Sequence, residues 1–184
     1  MVMAVPMARR EIVVPEGVEA KLAGRVLTMS GPKGTLTEEF GDAAIRVSVD
    51  QGRVSIASDF PSTRKLAIFG MYEAIIKNMI DGVTRGFRSR LRMVSSHFPM
   101  STEIKEGEVL INNFIGERYP RRARIYPGVS VGVEGEYITV SGIDRDGVAQ
   151  TAANIEQATV VRHKDRRIFQ DGIYLVAKAA PAED

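Results

Sequence analysis

IRVSVDQGRVSI (45–56) and VSVGVEGEYITV (129–140) decide the fold. Each alternates apolar and polar residues on both sides of a Gly-containing turn, around Asp50–Gly52 in the first and Glu134–Gly135 in the second. That is the pattern of a half-buried β-hairpin. The two stretches align at a constant offset: Val47 corresponds to Val131 and Val54 to Ile138, 84 residues apart in both cases. The similarity extends outward. A further strand pair is expected upstream of each hairpin, at 26–40 and 108–126, and a helix downstream, at 62–80 and at about 147–159. GPKGT (31–35) reads as the loop inside the first strand pair.

The first helix carries Ile68, Phe69, Tyr72, Ile75, Ile76 and Met79 on one stripe, the spacing of a helix packed on a sheet. Glu73 and Lys77 form an i,i+4 pair outside the stripe. Asp59 or Ser62, around Pro61, supplies a start and Gly82 a stop. The second helix has a narrower buried face of Val148, Ala152, Ile155 and Thr159, with Asp146 as its expected cap. Gln150, Asn154 and Gln157 share a different face. The expected fold class is α+β: two tandem similar modules, 1–85 and 86–184, each a small, mainly antiparallel β-sheet packed against an α-helix.

The chain has 184 residues, 26% charged and 44% hydrophobic, with no cysteine. At this length folding buries roughly 70% of the unfolded surface, so the core needs no covalent staples. Without Cys there is no disulfide, thiolate zinc site, Fe–S cluster or thiol nucleophile. No apolar run approaches the ~20 residues of a membrane span, so no membrane is expected. At the start, MVMAVPMARR (1–10) places its basic pair after the apolar run, the wrong order for a secretory signal. Its three Met and one Pro suggest a mobile start or a docking arm.

Enzyme motifs are missing. There is no phosphate-cradling Gly-rich loop ending in Gly-Lys, no dinucleotide fingerprint and no nucleophile elbow. His97 and His163 are the only imidazoles, and neither lies in a ligand-spaced pair. DRDG (144–147) fails as a calcium loop, because its first and last positions would be Gly142 and Ala153. Neither cofactor nor metal nor small-molecule substrate is expected.

The positive signal is arginine, which outnumbers lysine 18 to 7. In RSRLRMV (88–94) strand alternation sends Arg88, Arg90 and Arg92 to one face and Leu91 and Met93 to the other. RRARIY (121–126) repeats the device with Arg122 and Arg124, preceded by Arg118 and Arg121. RHKDRR (162–167) groups Arg162, Lys164, Arg166 and Arg167. Residues 1–85 carry 11 basic and 10 acidic groups, and 86–184 carry 14 and 13. The contrast is therefore one of distribution, with balancing acids such as Glu134, Glu136 and the terminal Glu183–Asp184 set apart. A planar guanidinium fork matches phosphate oxygens, so the clusters point to one localised anion-binding surface on the second module.

TRKLAIFGMYEAIIKNMIDGVTRGF (63–87) resembles the signature of the large-subunit ribosomal protein six family, notably in Asn78, Gly82, Val83, Thr84, Gly86 and Phe87. QTAANIEQAT (150–159) followed by DRRIFQDGIY (165–174) resembles its archaeal and eukaryotic branch, most closely the archaeal type. The resemblance implies a duplicated α+β fold and a structural, non-catalytic role in the cytoplasm. The implied site binds large-subunit ribosomal RNA near the stalk base and the sarcin–ricin, factor-binding region, beside neighbouring ribosomal proteins. It also implies RNA contacts at Lys164, Arg166 and Arg167. Strand alternation and clustering add Arg90, Arg92, Arg118, Arg121, Arg122, Arg124 and Arg162. Gln150 and Asn154 are candidate donors to bases or sugars, beside the plainer reading of a solvated face. Tyr119 and Tyr126 could stack on a base, but core or surface packing is the expected use of each. The alternative function is a protein-interaction scaffold whose basic face docks an acidic partner. A hydrolase using His97 or His163 is a remote third.

Overall fold

Among the described residues thirteen strands and two α-helices follow one another in an order that repeats itself. The first unit, Met1–Arg85, runs β1 (Met7–Val13), β2 (Glu19–Ala23), β3 (Val26–Gly31), β4 (Gly34–Glu39), β5 (Arg46–Asp50), β6 (Arg53–Asp59) and α1 (Thr63–Thr84). The second, Gly86–Asp184, runs β7 (Phe87–Val94), β8 (Ser101–Lys105), β9 (Glu108–Asn112), β10 (Arg121–Arg124), β11 (Val129–Glu134), β12 (Tyr137–Gly142) and α2 (Arg145–Ala158). It then adds β13 (Gly172–Pro181). The computed structural model describes residues 7–182 apart from 43–44, 60–61, 97, 163 and 166. His97, His163, Arg166 and the Glu183–Asp184 tail therefore lie outside the described residues.

All strand pairings are antiparallel, in the orders β1-β6-β5 and β2-β3-β4 in the first unit, β11-β12-β7-β13 and β10-β9-β8 in the second. The hairpins keep one register: Val47 faces Ile56 and Val131 faces Val140. The fold is α+β, built of two tandem modules. Each module holds two small sheets, where the sequence suggested one, because the upstream strands form three-stranded meanders of their own. Of the first ten residues, where the sequence suggests a mobile start or a docking arm, 1–6 lie outside the described residues. Residues 7–13 pair along their length with β6, and Ile12 enters the core.

In the first unit the α1 stripe of Phe69, Tyr72, Ile76 and Met79 packs against Leu27, Met29, Val54 and Ile56. Ser62 caps the helix, its hydroxyl accepting from the Lys65 N–H at 3.4 Å. The outer Glu73–Lys77 pair forms at 2.7 Å, and Glu73 also meets Arg10. Gly82 does not stop the helix. It is buried within the last turn, and the helix closes at Arg85 ahead of Gly86, whose φ of 74° is the left-handed conformation that ends helices. Burial decided the point: Val83 must stay helical to reach the core, where it is fully enclosed.

In the second unit Val148, Ala152 and Ile155 of α2 pack on Leu91, Ile138, Val140 and Ile173. Thr159, just past the helix, is buried too. Asp144 rather than Asp146 is the cap. Its carboxylate accepts from the N–H groups of Asp146 and Gly147 at 3.1 and 2.9 Å, one residue type set two places earlier than expected. Asp146 lies in the first turn, where a negative charge complements the helix dipole. Asp144→Ala should therefore lower stability by about 1 kcal/mol. Asp146→Ala should cost less, within about 0.3–1 kcal/mol. Urea denaturation followed by circular dichroism separates the two.

Candidate nucleic-acid interface

β10 alternates as its sequence predicts: Arg122 and Arg124 are exposed while Ala123 is buried. Arg121 turns inward with Ala123 and is occupied within the unit. Its Nε and Nη2 hold both oxygens of Glu117 at 2.8 and 2.6 Å, and its Nη1 donates to the carbonyls of Ala158 and Val160 at 2.8 and 3.0 Å. The guanidinium also lies 4.3 Å from the centre of the buried Phe114 ring. Arg121 thus closes the C-terminal end of α2, which has no basic residue in its own last turn. The same contact depresses the Glu117 pKa: the hydrogen bond from Arg121 is the main cause, burial opposes it, and the charges of Arg121 and Lys164 add to it.

Around this anchor a cleft of about 340 Å³ is lined by Arg121, Arg122, Gln157, Ala158 and Arg162. Arg162 is exposed, and among the described residues it pairs with no carboxylate. Arg122 has only a loose contact with Glu108, at 3.8 Å. The segment leading from Arg162 to β13 is tied down at several points. Asp171, buried, accepts from the Ser96 N–H at 2.5 Å. The Thr159 hydroxyl accepts from the Ile173 N–H at 2.9 Å, and the Tyr174 hydroxyl donates to the Gln170 carbonyl at 3.0 Å. Lys164 sits over the Phe169 ring at 4.6 Å. Arg167 is exposed, its backbone N–H held by Asp165 at 2.9 Å. A row of cations is thereby presented on a braced segment.

The carboxamides are partly consumed. Gln150 donates to Asn154 at 3.0 Å, and Asn154 donates to the Arg124 carbonyl at 3.0 Å, joining α2 to β10. Gln157 stays exposed at the cleft. Arg118 and Arg124 are exposed without a carboxylate partner among the described residues. Neither tyrosine enters the core: Tyr119 is 80% exposed, beside Arg118, and Tyr126 is 45% exposed.

The expectation of one localised surface needs correction. Leu91 points to α2, so Arg88, Arg90 and Arg92 point away from it. They occupy the outer face of the β11-β12-β7-β13 sheet, whereas the Arg122–Arg162 cleft lies on the helix side. The outer face has a companion that the arginine pattern alone did not single out. Tyr137 faces Arg92 across the strands, and Arg90 lies 4.0 Å from its ring centre. Alternation in EYITV already places Tyr137 opposite the buried Ile138, the signal that would have found it. Arg92 also meets Glu136 at 3.1 Å.

Among the described residues no cluster of His, Asp or Glu could hold a metal ion. No described helix is long and apolar enough to cross a membrane. Fold and surface together define a duplicated α+β protein whose second unit exposes guanidinium groups on two faces.

Comparison with known proteins gives the family. The model for the family described as Ribosomal protein L6 matches residues 14–86 and again 98–172, once in each unit, and the chain belongs to that family. Among similar proteins is the large ribosomal subunit protein uL6 of Methanothrix thermoacetophila, 46% identical over 92% of this chain and 96% of its own length. That of Ignicoccus hospitalis is 45% identical over 90% and 91%, and that of Methanobrevibacter smithii 40% identical over 92% and 96%. The resemblance read from 63–87 and 150–174 holds over nearly the whole chain.

Proposed function

We propose that the chain is a structural constituent of the large ribosomal subunit in the cytoplasm. In this reading its second unit binds large-subunit ribosomal RNA near the stalk base and the sarcin–ricin region, beside neighbouring ribosomal proteins. The family supports the subunit. The observation that carries RNA contact is the cleft at the end of α2. Arg121 already satisfies the helix carbonyls there, which leaves Arg122 and Arg162 as exposed guanidinium groups with no close acid among the described residues. Such groups neutralise phosphates and fix orientation, and folded RNA is read by shape, 2′-OH groups and unstacked bases. Arg118, Arg124, Lys164 and Arg167 extend the helix-side surface; Arg166 lies outside the described residues. Arg90 and Arg92 form a second one, with Tyr137 beside them. Tyr119 is free to stack on a base.

Filter binding to a large-subunit RNA fragment containing the sarcin–ricin region tests this. With about six phosphates contacted, log affinity should fall with log salt at a slope near −4 to −5. Arg122→Glu with Arg162→Glu should weaken binding at least ~10-fold and flatten that slope by about 2. Absence of binding at low salt, or an unchanged slope in the double variant, refutes the assignment. A complex with an acidic protein that survives ribonuclease would favour the docking role instead.

A further inference from the structure

The registers lay out the face of the β11-β12-β7-β13 sheet that points away from α2. One row across the strands reads Tyr137, Arg92, Tyr174; the next has Thr139, Arg90 and Ala177, and the third Ser141, Arg88 and Ala180. A column of arginines about 7 Å apart along β7 thus runs between small residues and ends between two tyrosines. The fold does not demand this. β6 and β12 correspond at the 84-residue offset of Val54 and Ile138, so the first unit supplies a comparison. There Glu11 stands in the place of Arg90, Val13 in that of Arg92 and Arg53 in that of Tyr137. β1 is also an end strand of its sheet, with no counterpart of β13 among the described residues. The column, and the strand that brings Tyr174 beside it, belong to the second unit alone.

Tyr174 is a prepared stacking surface. Its hydroxyl is tethered to the Gln170 carbonyl at 3.0 Å. Its ring sits over Gly172, where a Cβ would come within 3.2 Å of it, yet the residue is 40% exposed. A ring fixed in this way has little rotamer freedom left to lose when a flat ligand covers it. Arg90 lies over the Tyr137 ring at 4.0 Å, a distance that only the face of the ring allows. The arginine stays exposed, and an unstacked base packs on a guanidinium plane as it does on an aromatic one. Arg88 and Arg90 meet no carboxylate among the described residues. Arg92 meets Glu136 at 3.1 Å, an exposed pair that a phosphate displaces at little cost. An acidic polypeptide would satisfy the guanidinium groups but leave both stacking planes uncovered. A strand of phosphates and unpaired bases uses both.

We propose that this face binds an unpaired strand of RNA, its backbone along β7 with phosphates on Arg88 and Arg92, and with bases stacked on Tyr174 and on the Arg90–Tyr137 pair. This rests on RNA contact by the second unit, and it assigns a surface apart from the cleft at the end of α2 to a single-stranded ligand.

The test is fluorescence anisotropy of the full-length chain with a labelled oligouridylate, together with photo-crosslinking of its thiouridine-substituted form. At low salt the Kd should be about 1–100 μM. Tyr174→Ala should weaken binding about 5- to 100-fold, the loss of one stacked base. Tyr174→Phe keeps the ring and should weaken it by a smaller factor. Arg90→Glu with Arg92→Val copies the first unit, whose sheet folds with those residues. It should weaken binding at least ~10-fold and flatten the salt slope by about 1. Crosslinks should map to β7, Tyr137 and Tyr174. No binding up to about 1 mM, equal affinities of the wild type and Tyr174→Ala, or crosslinks confined to 118–124 and 162–167 overturn the proposal. So does an oligoglutamate that competes as well as the oligouridylate, which would make the face a protein-docking site. The sarcin–ricin fragment and the Arg122/Arg162 variant report on the helix-side cleft, so either assignment can fail while the other stands.

Discussion

Gly31→Ala should lower the stability of the first unit by about 2–3 kcal/mol, as overpacking of a closed contact does. A Cβ at Gly31 would lie 2.7 Å from the Val83 carbonyl oxygen and 2.9 Å from Val83 Cγ2. Neither atom can yield easily. Val83 is fully buried, and its carbonyl accepts from the Lys33 N–H at 2.9 Å, seating the β3–β4 turn on the end of α1. The substitution therefore has to lift the turn off the helix. Urea denaturation should show a lower midpoint, and amide exchange should accelerate across β3 and the last turn of α1. Gly70→Ala is the matched control. That glycine is on the exposed side of α1 with open space around its Cβ, so the change should stabilise by about 0.5–1 kcal/mol. Equal destabilisation by both would show that the Gly31–Val83 contact is not what matters.

Arg121→Ala should cost the second unit about 2–3 kcal/mol, on the scale of hydrogen bonds to a charged group together with the carbonyls left without their donor. It removes the Glu117 fork, the donor to Ala158 and Val160, and the cation over Phe114 in one step. The pH dependence discriminates further. The folded-state pKa of Glu117 lies below its ordinary value because Arg121 hydrogen-bonds the carboxylate. The pair's contribution is therefore complete above the ordinary glutamate range and is lost as pH falls through the depressed value. Arg121→Ala should flatten the acid limb of the stability curve. RNA affinity in this variant should fall only through looseness of the cleft, with the salt slope nearly unchanged, unlike that of the Arg122/Arg162 pair. A slope change of about 1 would make Arg121 a phosphate contact after all.

What was legible in the sequence was whatever depended on local period. Alternation in 45–56 and 129–140 placed both hairpins, and the α1 stripe identified the residues that pack. β13 was not legible: LVAKAA has no strand alternation, and only its partner β7 imposes an extended conformation, with register shifts at Ala177. β1 was hidden similarly, since its seven-residue pairing with β6 is a long-range choice. On the site, alternation correctly sent Arg122 and Arg124 outward. It could not reveal that Arg121 would be used up by carbonyls 37 and 39 residues away. Nor could it reveal that the arginines of β7 face away from α2 while Arg122 of β10, in a separate sheet, lines the cleft at the end of α2. Charge type is written locally, whereas which face a charge reaches depends on tertiary packing.

The edge pairing that closes the second unit has a consequence for biosynthesis. Its first strand, β7, lies between β12 and β13, and its two ends meet where the Ala182 N–H donates to the Gly86 carbonyl at 2.9 Å. The sheet cannot be completed until everything from Gly86 to Ala182 has been synthesised. The first unit needs nothing beyond its own helix to finish its core. During translation the first module can therefore fold while the second still waits for its closing strand, with one side of β7 open to mispairing. Nascent chains arrested before residue 172 should show a protease-resistant first half and a sensitive second half, which makes vectorial synthesis, rather than equilibrium stability, the period of greatest exposure for this protein.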